Sequence, residues 1–429
     1  MAAELLKTTE EELLKFDFST ESHSIIKVIG VGGGGGNAVT HMYREGIRDV
    51  NFVLCNTDNQ ALLESKVPVT VQLGKNITKG LGSGNKPEIG EKAALESEEE
   101  IRTLLSDGTE MVFVTAGMGG GTGTGAAPVI AKIAKDMDIL TVGIVTIPFL
   151  LERKVKIIQA LDGVEKMSKN VDALLVINNE KLREIYPILT LFEGFKKADD
   201  TLLVAAKSIA EIITLPGYVN LDFADVNTTM KNGGVAVMSS GEGEGEFRLT
   251  TAIKNALNSP LLNNNDIFNA KKILLNIYSS DQNPVRMEEM NEVNDFMEKF
   301  SSEIDVIWGA AVDNTLEEKV KITILATGFS IDTIPMMTDK KRLEWERMTH
   351  DERQKLEAEE AKKAAEAELI EDRIRRAYGE EGLKIIFGKI PPKPHIFTLE
   401  QLDDDRIIDT VINSPAYKRD SKIITNFAS

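Results

Sequence analysis

Cysteine is nearly absent: of 429 residues, only Cys55 is one. A lone cysteine forms no internal disulfide, which fits a reducing compartment. Its place in the apolar run Asn51-Phe-Val-Leu-Cys55 points to a core side chain. Histidine is scarce as well. His23, His41, His350 and His395 are scattered, so neither a histidine metal cluster nor a partner for a catalytic thiol is expected. Positive charge is in deficit, with 50 Lys and Arg against 68 Asp and Glu and a net charge of -18. Such a surface repels nucleic acid and anionic lipid, so no nucleic-acid partner is expected. Long apolar runs are missing: none reaches the ~20 residues of a membrane helix. The N-terminus has no signal-peptide core. A soluble intracellular protein without direct membrane insertion is the expectation. A Walker A motif, G-x-x-x-x-G-K-[S/T], is also missing, which excludes a P-loop NTPase.

What is present is an alternation of strands and helices, within a chain that is 42% hydrophobic. The length suggests two or three domains. Strands are expected at Ser24–Gly30, Asn51–Cys55, Val69–Leu73, Met111–Thr115, Leu140–Thr146 and Ala173–Ile177. Helices are expected at Ala38–Tyr43, Glu88–Leu105, Ala126–Met137 (with Pro128 in its first turn) and Arg153–Lys169. The strands are continuously apolar, which argues for a parallel sheet covered on both faces. One long helix follows, Leu191 to Thr214, ended by Pro216-Gly217. Beyond it come strands at Gly234–Ser240, Ile273–Tyr278, Val306–Ala311 and Val320–Ala326, with helices near 248–258 and 285–300. The chain therefore divides into an arm (1–22), a first domain (23–190), a central helix (191–215) and a smaller α/β domain (216–330). A linker (331–400) and a tail (401–429) complete it. The linker is rich in Glu, Lys, Arg and Ala, with pairs such as Glu359–Lys363 four apart, which suits a solvated helix.

Two glycine runs carry the chemistry. Gly30-Val-Gly-Gly-Gly-Gly-Gly36-Asn37 and Gly117-Met-Gly119-Gly-Gly-Thr-Gly-Thr-Gly125 each lie between a strand and a helix. Backbone N–H groups there can approach phosphate oxygens, and the helix N-terminus adds a favourable field. Two such loops at the ends of parallel strands can hold opposite sides of one polyphosphate, with Thr122 and Thr124 as hydroxyl donors. Residues 25–58 alone also read as the fold of an NAD-dependent oxidoreductase, with Asp58 as the ribose acid. The second glycine loop argues against that reading. A third stretch, Gly80-Leu-Gly-Ser-Gly84-Asn85, is either a terminal-phosphate contact or an ordinary loop. Asn220-Leu-Asp222-Phe-Ala-Asp225 offers carboxylates that can orient water, or a helix cap, or both. It lies beyond the long helix, which at ~1.5 Å per residue spans on the order of 35 Å. These carboxylates would then act on a nucleotide held by a neighbouring molecule.

The loop Gly119-Gly-Gly-Thr-Gly-Thr-Gly125 resembles the signature of the tubulin/FtsZ GTPase family. Asn56-Thr-Asp58, Ile77-Thr-Lys-Gly-Leu-Gly82, Pro87-Glu88 and Asn220-x-Asp222-Phe-Ala-Asp225 extend the resemblance from about Ile25 to Gly328. It implies a Rossmann-like parallel-sheet GTPase domain, a long central helix and a smaller α/β C-terminal domain. It implies GTP/GDP as ligand, with Mg²⁺ held mainly through the phosphates. Gly33, Gly34, Gly35, Gly36 and Asn37 would bind phosphate, together with Gly84 and the loop Gly119, Gly120, Gly121, Thr122, Gly123, Thr124 and Gly125. Glu152 would contact ribose, with Lys156 standing where the family has Arg. Asn179, Phe195 and Asp199 would surround guanine. Asn220, Asp222 and Asp225 would serve the next subunit's nucleotide. Expected partners are further copies of the chain in a head-to-tail polymer. The tail around Pro415-Ala-Tyr-Lys-Arg419 would take membrane-tether and division-regulator proteins, at the mid-cell division site.

Overall fold

The computed structural model describes residues 24–334 and 337, apart from 48, 216, 259–266 and 301–303. The arm, almost all of the linker, the tail and Pro216 lie outside the described residues. Strand β1 (Ile26–Val31) is buried along its whole length. Its parallel neighbours are β2 (Asn51–Asn56) and β4 (Met111–Gly117). With β3 (Val69–Gln72), β5 (Leu140–Ile147) and β6 (Ala173–Asn178), the order is β3-β2-β1-β4-β5-β6, all parallel. Both faces are covered, which is why these strands read as unbroken apolar runs. The order reverses between β1 and β4, and ligands of such sheets bind beyond the carboxyl ends of the strands there.

The helices of this half are α1 (Gly32–Glu45), α2 (Asn59–Leu63), α3 (Lys75–Thr78), α4 (Pro87–Glu96) and α5 (Glu98–Leu105). They continue as α6 (Gly121–Asp136), α7 (Arg153–Asn170), α8 (Asn179–Ile185) and α9 (Leu191–Thr214). Val114 and Val31 face a core that includes Ile130 of α6 and Val164 of α7. Val28 and Phe113 face the other core, with Met42 of α1 and Ile209 of α9. Cys55 sits in the first of these, and burial pushes its thiol up to about 12, so it is an inert core residue.

Three expectations change. The helix read over 88–105 is two helices, broken at Ser97, whose hydroxyl accepts the Gly74 N–H at 3.0 Å. The glycine runs are only partly loops before helices: Gly32–Gly36 and Gly121–Gly125 already form the first turns of α1 and α6, and only 118–120 precede α6 as a turn. Pro128 consequently lies in the interior of α6 and not in its first turn. Glycine is a poor helix former by about 1 kcal/mol, but here close packing decides. A Cβ on Gly125 would lie 2.0 Å from the Pro87 carbonyl oxygen of α4.

The second half extends the same sheet. Strand β7 is Gly217–Val219 and helix α10 is Phe223–Met230; both were missed or only half seen in the sequence. Then come β8 (Gly234–Gly243), α11 (Arg248–Leu257), β9 (Lys272–Ser279), α12 (Met290–Met297), β10 (Asp305–Val312) and β11 (Val320–Phe329). Helix α12 is shorter than the expected 285–300. Strand β8 pairs in parallel with β6 over Ala173–Leu175, and the order continues β8-β11-β9-β10-β7. Helix α9 packs on α1, β5 and β6. Among the described residues, no helix is long and apolar enough to cross a membrane.

Gly90 shows how tightly α4 meets α6: a Cβ there would lie 2.5 Å from the Gly121 carbonyl oxygen. In an unobstructed helix, Gly→Ala stabilises by about 1 kcal/mol. Gly90→Ala is expected instead to destabilise by about 1–3 kcal/mol, read as a lower urea midpoint. A raised midpoint would contradict this packing.

Candidate functional site

Helices α1 and α6 start where β1 and β4 end, so their N-termini lie side by side. A Cβ on Gly32 would be 2.8 Å from the Gly123 nitrogen, and one on Gly34 3.2 Å from Gly117 Cα. Only glycine lets two helix starts come this close. Gly33, Gly34, Gly35, Gly36 and Asn37 form the opening turns of α1. Gly119 and Gly120 precede α6, and Gly121, Thr122, Gly123, Thr124 and Gly125 open it. Neither helix has a side-chain cap among the described residues. The first-turn N–H groups of both are therefore left for an acceptor from outside the helix. Around Gly33, Gly36, Gly84 and Gly120, a Cβ would meet nothing within 4 Å, so the backbone there borders open space. Two unsatisfied positive helix ends facing one opening make an anion cradle.

The threonines brace this cradle. Thr122 shares hydrogen bonds with Thr57 at 2.6 Å and Ser83 at 3.0 Å. Thr124 accepts the Gly119 N–H at 2.8 Å and is buried. Both hydroxyls, expected to face phosphate, are engaged within the protein. Ser83 brings the 80–85 stretch against α6, so all three glycine segments meet. Asp58 does not stand free as a ribose acid: its carboxylate caps α2, accepting the Gln60 and Ala61 N–H groups.

Beyond β5 and β6 lie the remaining expected contacts. Glu152 accepts the Phe149 N–H at 3.1 Å and Lys156 Nζ at 3.2 Å, so Lys156 lies beside the carboxylate it was expected to accompany. Asn179 opens α8, is 5% exposed, and its Oδ1 has no partner among the described residues. Such an orphaned acceptor costs about 1–3 kcal/mol, which a ligand donor would offset. Phe195, at the start of the second turn of α9, is half-exposed and meets the buried Phe149 edge to face at 5.2 Å. Asp199 follows one turn later. Burial pushes its carboxyl up to about 6; His41 pulls against this and Asp200 adds to it. His41 itself bonds Asp200 at 2.7 Å, tying α1 to α9. Thr57 and Ser83 lie in stretches the sequence singled out but had no role of their own there, and His41 and Asp200 were missed. Asp200 adjoins a predicted site residue, but nothing linear pairs it with His41, 159 positions away.

Asn220, Asp222 and Asp225 lie beyond the other end of α9, and the structure does not bring them to the cradle. Asp222 is the N-cap of α10. Its Oδ1 accepts the Asp225 N–H, and Asp225 Oδ2 accepts the Asp222 N–H, each at 3.1 Å. Asp222 is exposed. Phe195 and Asp199 lie near the start of α9, and the rest of that helix, to Thr214, separates them from these carboxylates. At ~1.5 Å per residue, that is on the order of 20–30 Å.

Two family models match the chain: the GTPase domain of the Tubulin/FtsZ family over residues 25–187, and the C-terminal domain of the FtsZ family over residues 234–330. The Cell division protein FtsZ of Porphyromonas gingivalis is 50% identical over 418 residues, 97% of this chain and 90% of its own length. That of Aquifex aeolicus is 44% identical over 309 residues, 71% of this chain and 83% of its own. Among solved structures, an empty FtsZ dimer from M. jannaschii has a TM-score of 0.66 at 41% identity, covering 76% of this chain and 92% of that one. CetZ1 from Haloferax volcanii, a GDP-bound monomer, has a TM-score of 0.64 at 23% identity, covering 75% of this chain and 98% of its own; it shares the fold.

One local strain marks the turn that carries Glu152. Arg153 has φ 73° and ψ 159°, a region that side chains rarely adopt. Strain of this kind costs about 1–3 kcal/mol, against roughly 0.5–1 kcal/mol for glycine's extra freedom when unfolded. Arg153→Gly is therefore expected to raise the thermal midpoint. A fall in the midpoint would show that Arg153 is not strained.

Proposed function

The chain belongs to the tubulin/FtsZ family of GTPases, and from that premise we propose that it is a polymerising GTPase of the cell-division ring, hydrolysing GTP between head-to-tail subunits. The observation that carries this is the separation of its two chemical halves. The anion cradle and the carboxylates Asp222 and Asp225 stand at opposite ends of one rigid helix. Each subunit then holds half of two sites. The cradle of one subunit binds the nucleotide, and α10 of the next supplies the carboxylates.

In this reading the N–H groups opening α1 and α6 hold the phosphates, and the 80–85 stretch with Gly84 approaches the terminal one. Glu152 and Lys156 take the ribose. Phe195 packs on guanine, while Asn179 and the ionised Asp199 accept from its N–H groups. The reciprocal bonds between Asp222 and Asp225 fix their carboxylates without using all their lone pairs. The remaining ones orient the attacking water, with Asn220 beside them. Among the described residues, no group of three or more His, Cys, Asp or Glu could hold a metal ion. A Mg²⁺ would be held chiefly by phosphate oxygens, where it would neutralise their charge. Exposed apolar side chains lie between α8 and Phe195, including Ile188 at 94% and Phe192 at 80% exposure. Such side chains suit burial against another subunit. We further assign residues 23–190 to nucleotide binding, 191–215 to the connecting helix and 216–330 to the catalytic loop and its support. The tail around Pro415–Arg419, outside the described residues, would dock membrane tethers and division regulators in the cytoplasm at mid-cell.

Asp222→Asn keeps an N-cap acceptor but removes the charge. It is expected to leave GTP affinity unchanged and lower turnover by about 10²–10⁴-fold. Wild-type turnover in that variant would remove Asp222 from the mechanism. In the wild type, turnover per subunit should rise from near zero above a threshold concentration; a constant specific activity would refute a shared site.

A pH dependence follows from Asp199. Its carboxyl is mostly protonated below about 6, and only the ionised carboxylate accepts from two guanine N–H groups at once. GTP affinity should therefore be full above that pH and weaken by up to about tenfold per unit below it. Titration of the dissociation constant should show the inflection, and Asp199→Asn should abolish it. An unchanged inflection in that variant would assign it to another group.

A further inference from the structure

One buried carboxylate beside the site has no place in the chemistry above. Glu180 follows Asn179 on α8 and is 6% exposed. Its Oε2 accepts the Leu150 N–H at 3.0 Å, across from the next loop. Its Oε1 accepts Arg183 Nε at 2.6 Å, and Arg183 is 60% exposed. The Glu180 N–H in turn donates to Asn178 Oδ1 at 3.0 Å, fixing the start of α8. Burial alone would raise the Glu180 carboxyl, but the bonds from Arg183 and Leu150 outweigh it and hold the group below the usual carboxylate range. It is therefore an ionised acceptor at neutral pH.

Leu150 begins the short turn Leu150–Glu152, which ends on the strained Arg153. A strained turn persists only where its surroundings over-determine it. Two bonds do so here. Glu152 holds the Phe149 N–H from within the turn, and Glu180 holds the Leu150 N–H from outside it. We propose that Glu180 is a positioning residue for sugar recognition: by holding Leu150 it sets Glu152 against the ribose, while its own helix sets Asn179 against the base. The turn and α8 then move as one piece, which makes ribose and base contacts interdependent. This rests on the nucleotide-site reading given above.

The test measures dissociation constants of GTP and 2′-deoxy-GTP for the full chain, four single variants and one double variant. Wild type should prefer GTP, and Glu152→Ala should erase the preference. Glu180→Met keeps the buried volume but offers no acceptor, and Glu180→Ala also opens a cavity. Both should lose most of the preference, by about tenfold, as for a lost hydrogen bond to a charged group. Glu180→Gln retains a carbonyl acceptor for Leu150 and should keep the preference within about twofold of wild type. Combining Glu152→Ala with Glu180→Met should cost no more preference than Glu152→Ala alone. A folded Glu180→Met protein with wild-type preference overturns the proposal and leaves the site reading intact. Wild-type preference in Glu152→Ala overturns the site reading itself. A purely structural role for Glu180 would lower the thermal midpoint without changing the ratio of the two constants.

Discussion

Two helix N-termini pressed together at the centre of a parallel sheet set the terms for the rest of this molecule. Each end carries N–H groups with no partner in its own helix, and the two like ends face one opening. Such an arrangement is unfavourable unless an anion shares it. It is reached because Gly32 lies against Gly123, where a Cβ would collide at 2.8 Å, and Gly34 against Gly117, where a Cβ would be crowded at 3.2 Å. The same demand spreads outward. Gly121 and Gly125 let α4 and the 80–85 stretch close over α6, and Thr57, Ser83 and Thr122 tie the segments to one another. The glycine content of the site is thus a packing requirement as much as a ligand requirement.

The second constraint is the length of α9. One face of this helix fills a core with α1 and the sheet, so it behaves as a rigid spacer. Phe195 and Asp199 lie near its start, and its end delivers the chain to Asp222. In the proposed reading, binding and water activation are held apart inside one subunit by this helix. Chemistry that needs both halves depends on assembly. The capping box at Asp222 and Asp225 serves stability and orientation at once, which is why a cap and a catalytic role are compatible there.

The parallel half of the sheet was legible because burial on both faces leaves a run of apolar residues in each strand. The long helix was legible to the residue, with Thr190 and Glu193 closing its capping box. Short elements were not. Strand β7 has three residues and helix α8 seven, too few for a period to emerge. The break at Ser97 depends on the Gly74 amide, distant in sequence. The helical state of the glycine runs was missed because glycine's propensity opposes it, and tertiary packing overrides the preference.

Read in one dimension, the chain already shows the order of its longer strands and helices, the two glycine segments, and the carboxylates placed beyond the long helix. Periodicity, glycine and charge act locally, and their traces survive in the linear order. Which groups face one another depends on packing in three dimensions. That packing turned Thr124 inward, set His41 on Asp200, committed Asp58 to a cap, and brought Glu180 under the Leu150 turn. Those pairings depend on how loops from separate strands meet at one edge of the sheet. No local pattern encodes that distance, and the energy that fixes it comes from the buried cores on either side.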